Sequence, residues 1–164
     1  MAEENTVPPP TDLQLDGPIM DELVDVDFLI LADWAEIIQG KLYLQGGGWH
    51  TMTATSFPHT RSVAVAAGLR VPWAATNQRY NVSITVKDED AQTVAMRADA
   101  QLETGRPAGF PAGSDQLVQL ALNGVVKFDQ PGSYVISAEV DGEIRKRRVF
   151  RVVTAPGIAA PRRS

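Results

Sequence analysis

The chain has 164 residues, 44% of them hydrophobic, which is enough for one folded domain with a buried core and excludes a fully disordered protein. It contains no cysteine, which excludes a disulfide scaffold, an iron–sulfur site and a thiolate zinc site. Acidic residues outnumber basic ones by 20 to 15, and no apolar run reaches the roughly 18 residues that a membrane-spanning helix needs.

The first 27 residues hold eight acidic side chains and no basic one, together with the sequences PPP and GP. This composition predicts a flexible acidic N-terminal arm over residues 1–23. The arm has two interpretations: it is a solvated tail, or it docks on the basic C-terminal strand of its own or a neighbouring chain. The start, Met-Ala-Glu-Glu, lacks the basic and apolar parts of a secretory signal, so we expect a cytoplasmic location.

The first predicted strand, VDVDFLILA over residues 24–32, is apolar on both faces. Strict alternation would place Leu29 and Leu31 on one face. The other face would then carry Val24, Val26, Phe28, Ile30 and Ala32. A strand of this kind is central in its sheet or covers an interface.

A tight hairpin is predicted next, because Gln39-Gly40 separates two apolar runs and glycine readily adopts a positive φ. A short helix over 33–39 capped by Asp33 is the alternative. We favour the hairpin, since Leu42 and Leu44 continue with the alternation of a strand.

Further strands are predicted over 50–60, 61–73, 80–86, 93–102, 116–122, 125–128, 133–140 and 144–153. The Pro/Gly-rich segment 105–113 is predicted as a loop, and Asp141-Gly142 as a type I′ hairpin turn. With eight or nine short strands and no long helical pattern, the fold class is all-β. We expect two packed antiparallel sheets over residues 24–154, followed by a basic C-terminal tail over 155–164.

Two polar or glycine-rich segments match ligand-binding motifs only in part. Gly46-Gly47-Gly48 lacks the Lys-Ser/Thr and the helix of a phosphate-binding loop, so we interpret it as a tight crossing under Trp49. Asp88-Glu89-Asp90 does not complete a calcium loop and favours a solvated turn, with a calcium site as the alternative.

The two histidines, His50 and His59, are too few for a zinc site unless Asp33 or Glu36 joins them. A triad built on Ser56 and His59 has no nucleophile-elbow sequence to support it. We therefore assign no catalytic, cofactor-binding or metal-binding residue.

The most unusual pattern is the cationic run from residue 145 to 151. Alternation predicts Arg145, Arg147 and Arg151 on the outer face. Lys146 and Arg148 then share the core side with Ile144, Phe150 and Val152. Inward charge protects an edge strand from aggregation, which is our first interpretation; docking of the acidic arm is the second. Nucleic-acid binding is less favoured, because the chain is acidic and no aromatic residue is interleaved with the arginines.

The tryptophans Trp34, Trp49 and Trp73 are interpreted first as core or sheet-corner packing. Trp34 and Trp73 lie beside strand ends, where an exposed indole would favour a partner surface. With Arg145, Arg147 and Arg151 they form the set of candidate interaction residues.

Three segments together resemble an uncharacterised family of bacterial proteins over about residues 26–153: FLILADWAEIIQGKLYLQGGGW (28–49), GRPAGFPAGSDQ (105–116) and PGSYVISAEVDG (131–142). The last segment also resembles the closing hairpin of immunoglobulin-like domains. These resemblances imply a single immunoglobulin-like β-sandwich and bring no catalytic residues with them.

We therefore expect a non-catalytic cytoplasmic binding or assembly module that self-associates or binds a protein, with no cofactor, nucleic acid or membrane involved. One alternative is an enzyme or enzyme accessory subunit with a site at the loop segments 33–36, 50–59 and 105–115. A virion or particle component is the other alternative.

Overall fold

The computed structural model describes residues 22–90 and 93–156, so the acidic arm up to residue 21 and the tail from residue 157 lie outside the described residues. The described part holds ten strands and one 3-10 turn at Trp73–Ala75, and none of its helices is long and apolar enough to cross a membrane. The strands are β1 (Asp25–Ala32), β2 (Trp34–Ile38), β3 (Lys41–Gln45), β4 (Thr51–Ala54), β5 (His59–Val71), β6 (Arg79–Asp88), β7 (Val94–Glu103), β8 (Gln116–Phe128), β9 (Gly132–Val140) and β10 (Glu143–Thr154).

The strands form a three-stranded sheet in the order β1-β5-β8, a five-stranded sheet in the order β4-β10-β9-β6-β7, and the hairpin β2–β3. The all-β prediction is confirmed, and nearly all pairs are antiparallel. The exception is β4, which runs parallel to β10. The chain passes from the hairpin through residues 46–48 to β4, at the edge of the five-stranded sheet. On the way the Gly48 N–H donates to the carbonyl of Leu31 in β1 at 2.7 Å.

The three-stranded and five-stranded sheets share one hydrophobic core. Phe150 lies among its aromatic side chains, stacked on Tyr134 at 5.6 Å and edge-on to Trp49 at 5.7 Å and Phe128 at 6.1 Å. Such pairs add to the free energy of burying the rings themselves. Trp49 therefore packs into the core rather than over the neighbouring glycines.

A β-bulge in β1 changes which side chains face the core. The pairing with β5 shifts between Val26 and Phe28, so the alternation changes phase at Asp27. The prediction that Val24 and Val26 share a face with Phe28, Ile30 and Ala32 is therefore wrong. The main core instead takes the set Val24, Val26, Leu29 and Leu31.

A second bulge, in β10, shifts the pairing with β9 between Ile144 and Lys146. Ile144 was predicted on the core side, but the bulge turns it outward, and it is 43% exposed. Lys146 and Arg148 lie opposite the buried Ala138 and Ile136 and point inward, as the alternation predicts.

The inward cations bind the free edge of β1. The Lys146 ammonium donates to the carbonyls of Val26 and Asp27 at 2.9 and 2.7 Å, and the Arg148 Nε donates to the Leu29 carbonyl at 3.2 Å. No strand of the described chain pairs with this edge, so the two cations supply donors that a neighbouring strand would otherwise provide. They also link the three-stranded sheet to the five-stranded one.

Replacing Lys146 by methionine should lower the free energy of unfolding by about 1–3 kcal/mol, because two carbonyls lose a charged donor while the aliphatic stem is retained. Urea denaturation measures this change. Lys87→Met on β6 is the matched control, and its effect should stay within about 0.5 kcal/mol. Equal losses in both variants would show that the carbonyl contacts are not what Lys146 contributes.

Candidate interaction surface

The hairpin β2–β3 turns at Gln39 and Gly40, whose φ angles of 50° and 74° are those of a type I′ turn. The register pairs Ile38 with Lys41 and Glu36 with Tyr43. The hairpin prediction is confirmed, and the helical alternative for residues 33–39 is wrong.

Small side chains let the hairpin lie close to the outer face of the three-stranded sheet. Ala32, Ala64 and Ala66 of the sheet and Ala35 of β2 form a second buried cluster, against which Leu42 of β3 packs. Because each alanine contributes a single methyl group, the two layers approach closely. The second apolar face of β1 packs in part against this alanine cluster, through the half-buried Phe28 and Ile30.

The side-chain amide of Asn123 on β8 holds the hairpin in place by bonding both backbone polar groups of Ala35. Its Oδ1 accepts from the Ala35 N–H at 3.0 Å, and its Nδ2 donates to the Ala35 carbonyl at 2.7 Å. The Arg61 guanidinium holds Asp33, at the entry to β2, at 2.8 Å. The hairpin is therefore tied to the domain at its base and along β2.

The outward face of the hairpin carries three large apolar side chains, and the polar Glu36, Lys41 and Gln45 lie between them. Trp34, Ile38 and Tyr43 point to the same side by register and are 47%, 46% and 48% exposed. Val125 of β8, 68% exposed, lies beside Trp34 at a shallow cleft of about 220 Å³. Clusters of large exposed apolar side chains are a feature by which association surfaces are recognised. We call the hairpin's outward face the Trp34 surface.

The edge of β3 lacks a strand partner within the described residues. In a two-residue type I′ hairpin the closing pair is hydrogen-bonded, so Lys41, Tyr43 and Gln45 bond to β2. The backbone N–H and C=O groups of Leu42 and Leu44 therefore point away from β2. This arrangement presents a row of donors and acceptors beside an apolar surface.

The predicted interaction residues lie on three separate surfaces. Trp34 is on the hairpin, near Ser62, whereas Trp73 follows the far end of β5, roughly 30 Å away along the strand. Trp73 is half-buried, with the Arg106 guanidinium 4.4 Å above its ring. It is thus already covered by a cation of its own chain.

The arginines Arg145, Arg147 and Arg151 lie on β10, in the five-stranded sheet. Arg147 and Arg151 are exposed on its outer face, beside Val149 and Val153, which are 54% and 38% exposed. Arg145 is the extra residue of the bulge, and its buried Nε has no acceptor within the described residues.

A cleft of about 410 Å³ lies on the outer face of β6 and β7 and is lined mostly by polar residues. It contains Asp99, whose carboxylate accepts two hydrogen bonds from Arg97 at 2.9 Å each. These bonds lower the pKa of Asp99, so the group stays ionised near neutral pH and has no proton to donate. No histidine lines the cleft.

The loop segments of the enzyme alternative are not all brought together. His59 pairs with Phe128 at one end of the three-stranded sheet, whereas the loop 105–115 precedes Gln116, which pairs with Val71 at the other end. The 13 residues of β5 separate these ends by about 40 Å. Within residues 22–90 and 93–156, no three His, Cys, Asp or Glu side chains are placed to share a metal ion.

Sequence reasoning missed Ile38, Tyr43, Val125 and Asn123. The first two lie in alternating runs that look like ordinary strand interior, and only the crossing of the hairpin over the sheet exposes them. Asn123 carries a weak signal, because its amide interrupts the apolar alternation of β8.

The model of a protein family described as "Family of unknown function (DUF6941)" matches residues 27–153. No curated protein sequence matches the chain.

Two solved structures show a distant likeness. The Pseudomonas fluorescens alkylpurine DNA glycosylase AlkC bound to DNA containing an abasic site analog is 12% identical, with a TM-score of 0.44 over 79% of this chain and 30% of its own. A β-glucosidase from Listeria innocua is 9% identical, with a TM-score of 0.38 over 80% of this chain and 16% of its own. The chain thus spans less than a third of either neighbour.

Replacing Asn123 by alanine should lower the free energy of unfolding by about 1–3 kcal/mol, because the buried N–H and C=O of Ala35 lose both partners. Amide exchange at Ala35 should accelerate more than exchange in β9. Gln101→Ala, which removes an exposed amide from β7, is the control and should change neither. Unchanged exchange at Ala35 in the Asn123 variant would contradict the assigned role.

Proposed function

The chain belongs to the DUF6941 family, a family of unknown function, and we propose that it is a non-catalytic binding module that self-associates through the hairpin β2–β3. The observation that carries the proposal is the Trp34 surface beside the open edge of β3. An exposed edge is normally protected by charge, proline or a bulge. Here the edge carries Leu42 and Leu44, with a lysine only at the turn end.

A second copy fits this edge in one antiparallel register. Only Leu42 and Leu44 offer outward backbone groups, so Leu42 of one copy pairs with Leu44 of the other in a hydrogen-bonded pair. Tyr43 then faces Tyr43 of the second copy across the two-fold axis. This is a non-hydrogen-bonded pair, in which the side chains stand closest.

The same register matches side-chain chemistry on both faces. On the inner face of the paired hairpins, Ile37 and Leu42 of one copy line up across the strands with Leu44 and Ala35 of the other. The apolar side chains of the second copy thereby cover the partly exposed Ile37 and Leu44. Lys41 faces Gln45, so no two like charges are opposed. The pairing joins the two Trp34 surfaces into one.

We propose further that the domain is an immunoglobulin-like sandwich of the three-stranded and five-stranded sheets. The shared core and the sheets' inner-face alternation support this assignment. The cytoplasmic location stays a prediction from the sequence.

Tyr43→Glu should abolish the dimer, because two carboxylates would meet directly across the two-fold axis, each beside Glu36 of its own hairpin. The fold should remain intact, since Tyr43 is 48% exposed. Sedimentation equilibrium of the full chain over a concentration series measures the loss.

Mixing Tyr43→Lys with Tyr43→Glu should restore a dimer, because the facing charges are then opposite. Val94→Glu is the matched control: it places a glutamate at an equally exposed valine on β7 and should leave the dimer unchanged. A chain that is monomeric at every concentration, or a dimer that tolerates Tyr43→Glu, would refute the pairing.

A further inference from the structure

The arginine face of β10 lacks neutralising partners in its own sheet. We use this name for Arg145, Arg147 and Arg151 with the intervening Val149. The cross-strand neighbours of Arg147 and Arg151 are Ser137 and Ser133, which are uncharged. Among the described residues, none of the three arginines lies in an ion pair.

The bulge at Arg145 adds an unmet donor to this face. Its buried Nε has no acceptor within the described residues, whereas buried polar groups are paired in most proteins. Glu139, the acidic residue of the adjacent strand, lies opposite Ile144, and its charge interacts with Arg97 on β7 instead. The arginine face therefore combines excess positive charge with exposed valine.

The chain enters the domain close to β10. The Lys146 ammonium, on the core side of β10, bonds the carbonyls of Val26 and Asp27, so the start of β1 lies within one lysine side chain of this strand, on the side opposite Arg147. The preceding residues 1–21 carry five acidic side chains and no basic one, with apolar residues among them. Fully extended, about 21 residues span up to roughly 70 Å, whereas the six residue steps from Arg145 to Arg151 cover only about 20 Å.

We propose that residues 1–21 dock on the arginine face of their own chain. Their carboxylates bind the guanidinium groups of Arg147 and Arg151, and their apolar side chains cover Val149 and Val153. The acidic segment belongs to the same chain and is long enough to reach the face, so binding takes place at high effective concentration. The inference is independent of the proposed self-association, because β10 and the hairpin β2–β3 lie in different sheets.

The absence of cysteine provides the test, since Leu13→Cys gives the full chain a single attachment point for a spin label. The label should broaden the amide resonances of β10 and spare those of β7. About 1 M salt, which shortens the Debye length to about 3 Å, should remove most of the broadening.

The variant Arg147→Gln/Arg151→Gln should also remove the broadening, while thermal unfolding reports that the domain remains folded. The matched control Arg79→Gln/Lys127→Gln removes the same charge from exposed positions elsewhere and should preserve it. Absent broadening, broadening that survives loss of both arginines, or equal loss in the control would overturn the proposal.

A mixture of spin-labelled chain and unlabelled ¹⁵N-enriched chain separates docking within one chain from exchange between chains. If residues 1–21 dock on their own chain, the β10 resonances of the unlabelled ¹⁵N-enriched chain stay sharp in this mixture. Broadening of β10 in the mixture would overturn the assignment to its own chain and point to an exchanged arm.

Discussion

Backbone groups at the edges of strands control this structure, because every N–H and C=O there needs a partner. The domain meets the requirement with side chains at two of these edges. Lys146 and Arg148 serve the edge of β1, and the amide of Asn123 serves the edge of β2. The edge of β3 has no such partner among the described strands. The two edges that carry dedicated side chains join the sheets, whereas the edge of β3 is left exposed to other molecules.

The two bulges reinforce this division. The bulge at Asp27 lies where the Lys146 ammonium binds carbonyls of β1, and the bulge at Arg145 directly precedes that lysine. Each bulge shifts its strand by one residue and so reassigns side chains between faces. The bulge in β1 therefore brings Val26 and Leu29 together in the main core, while Ile30 joins the alanine layer beneath the hairpin.

Features fixed by local chemistry could be read from the sequence, and features fixed by distant partners could not. Gln39-Gly40 and Asp141-Gly142 form their predicted turns, because the positive φ values that they need are local preferences. In the sequence each bulge is visible only as a change in the phase of hydrophobic alternation. Strict alternation does not allow for this change, so it placed Ile144 on the wrong face. The contact between Asn123 and Ala35 joins positions 88 residues apart and leaves no periodic signal.

The alanine layer sets the height of the hairpin above the sheet. Ala64 and Ala66 are fully buried and can never meet a binding partner, yet the methyl thickness of these residues decides how far Trp34 and Tyr43 project. Relatives with bulkier side chains at these positions would present the same aromatic residues at a different elevation and tilt. Recognition could thus diverge within the family through changes hidden from every ligand.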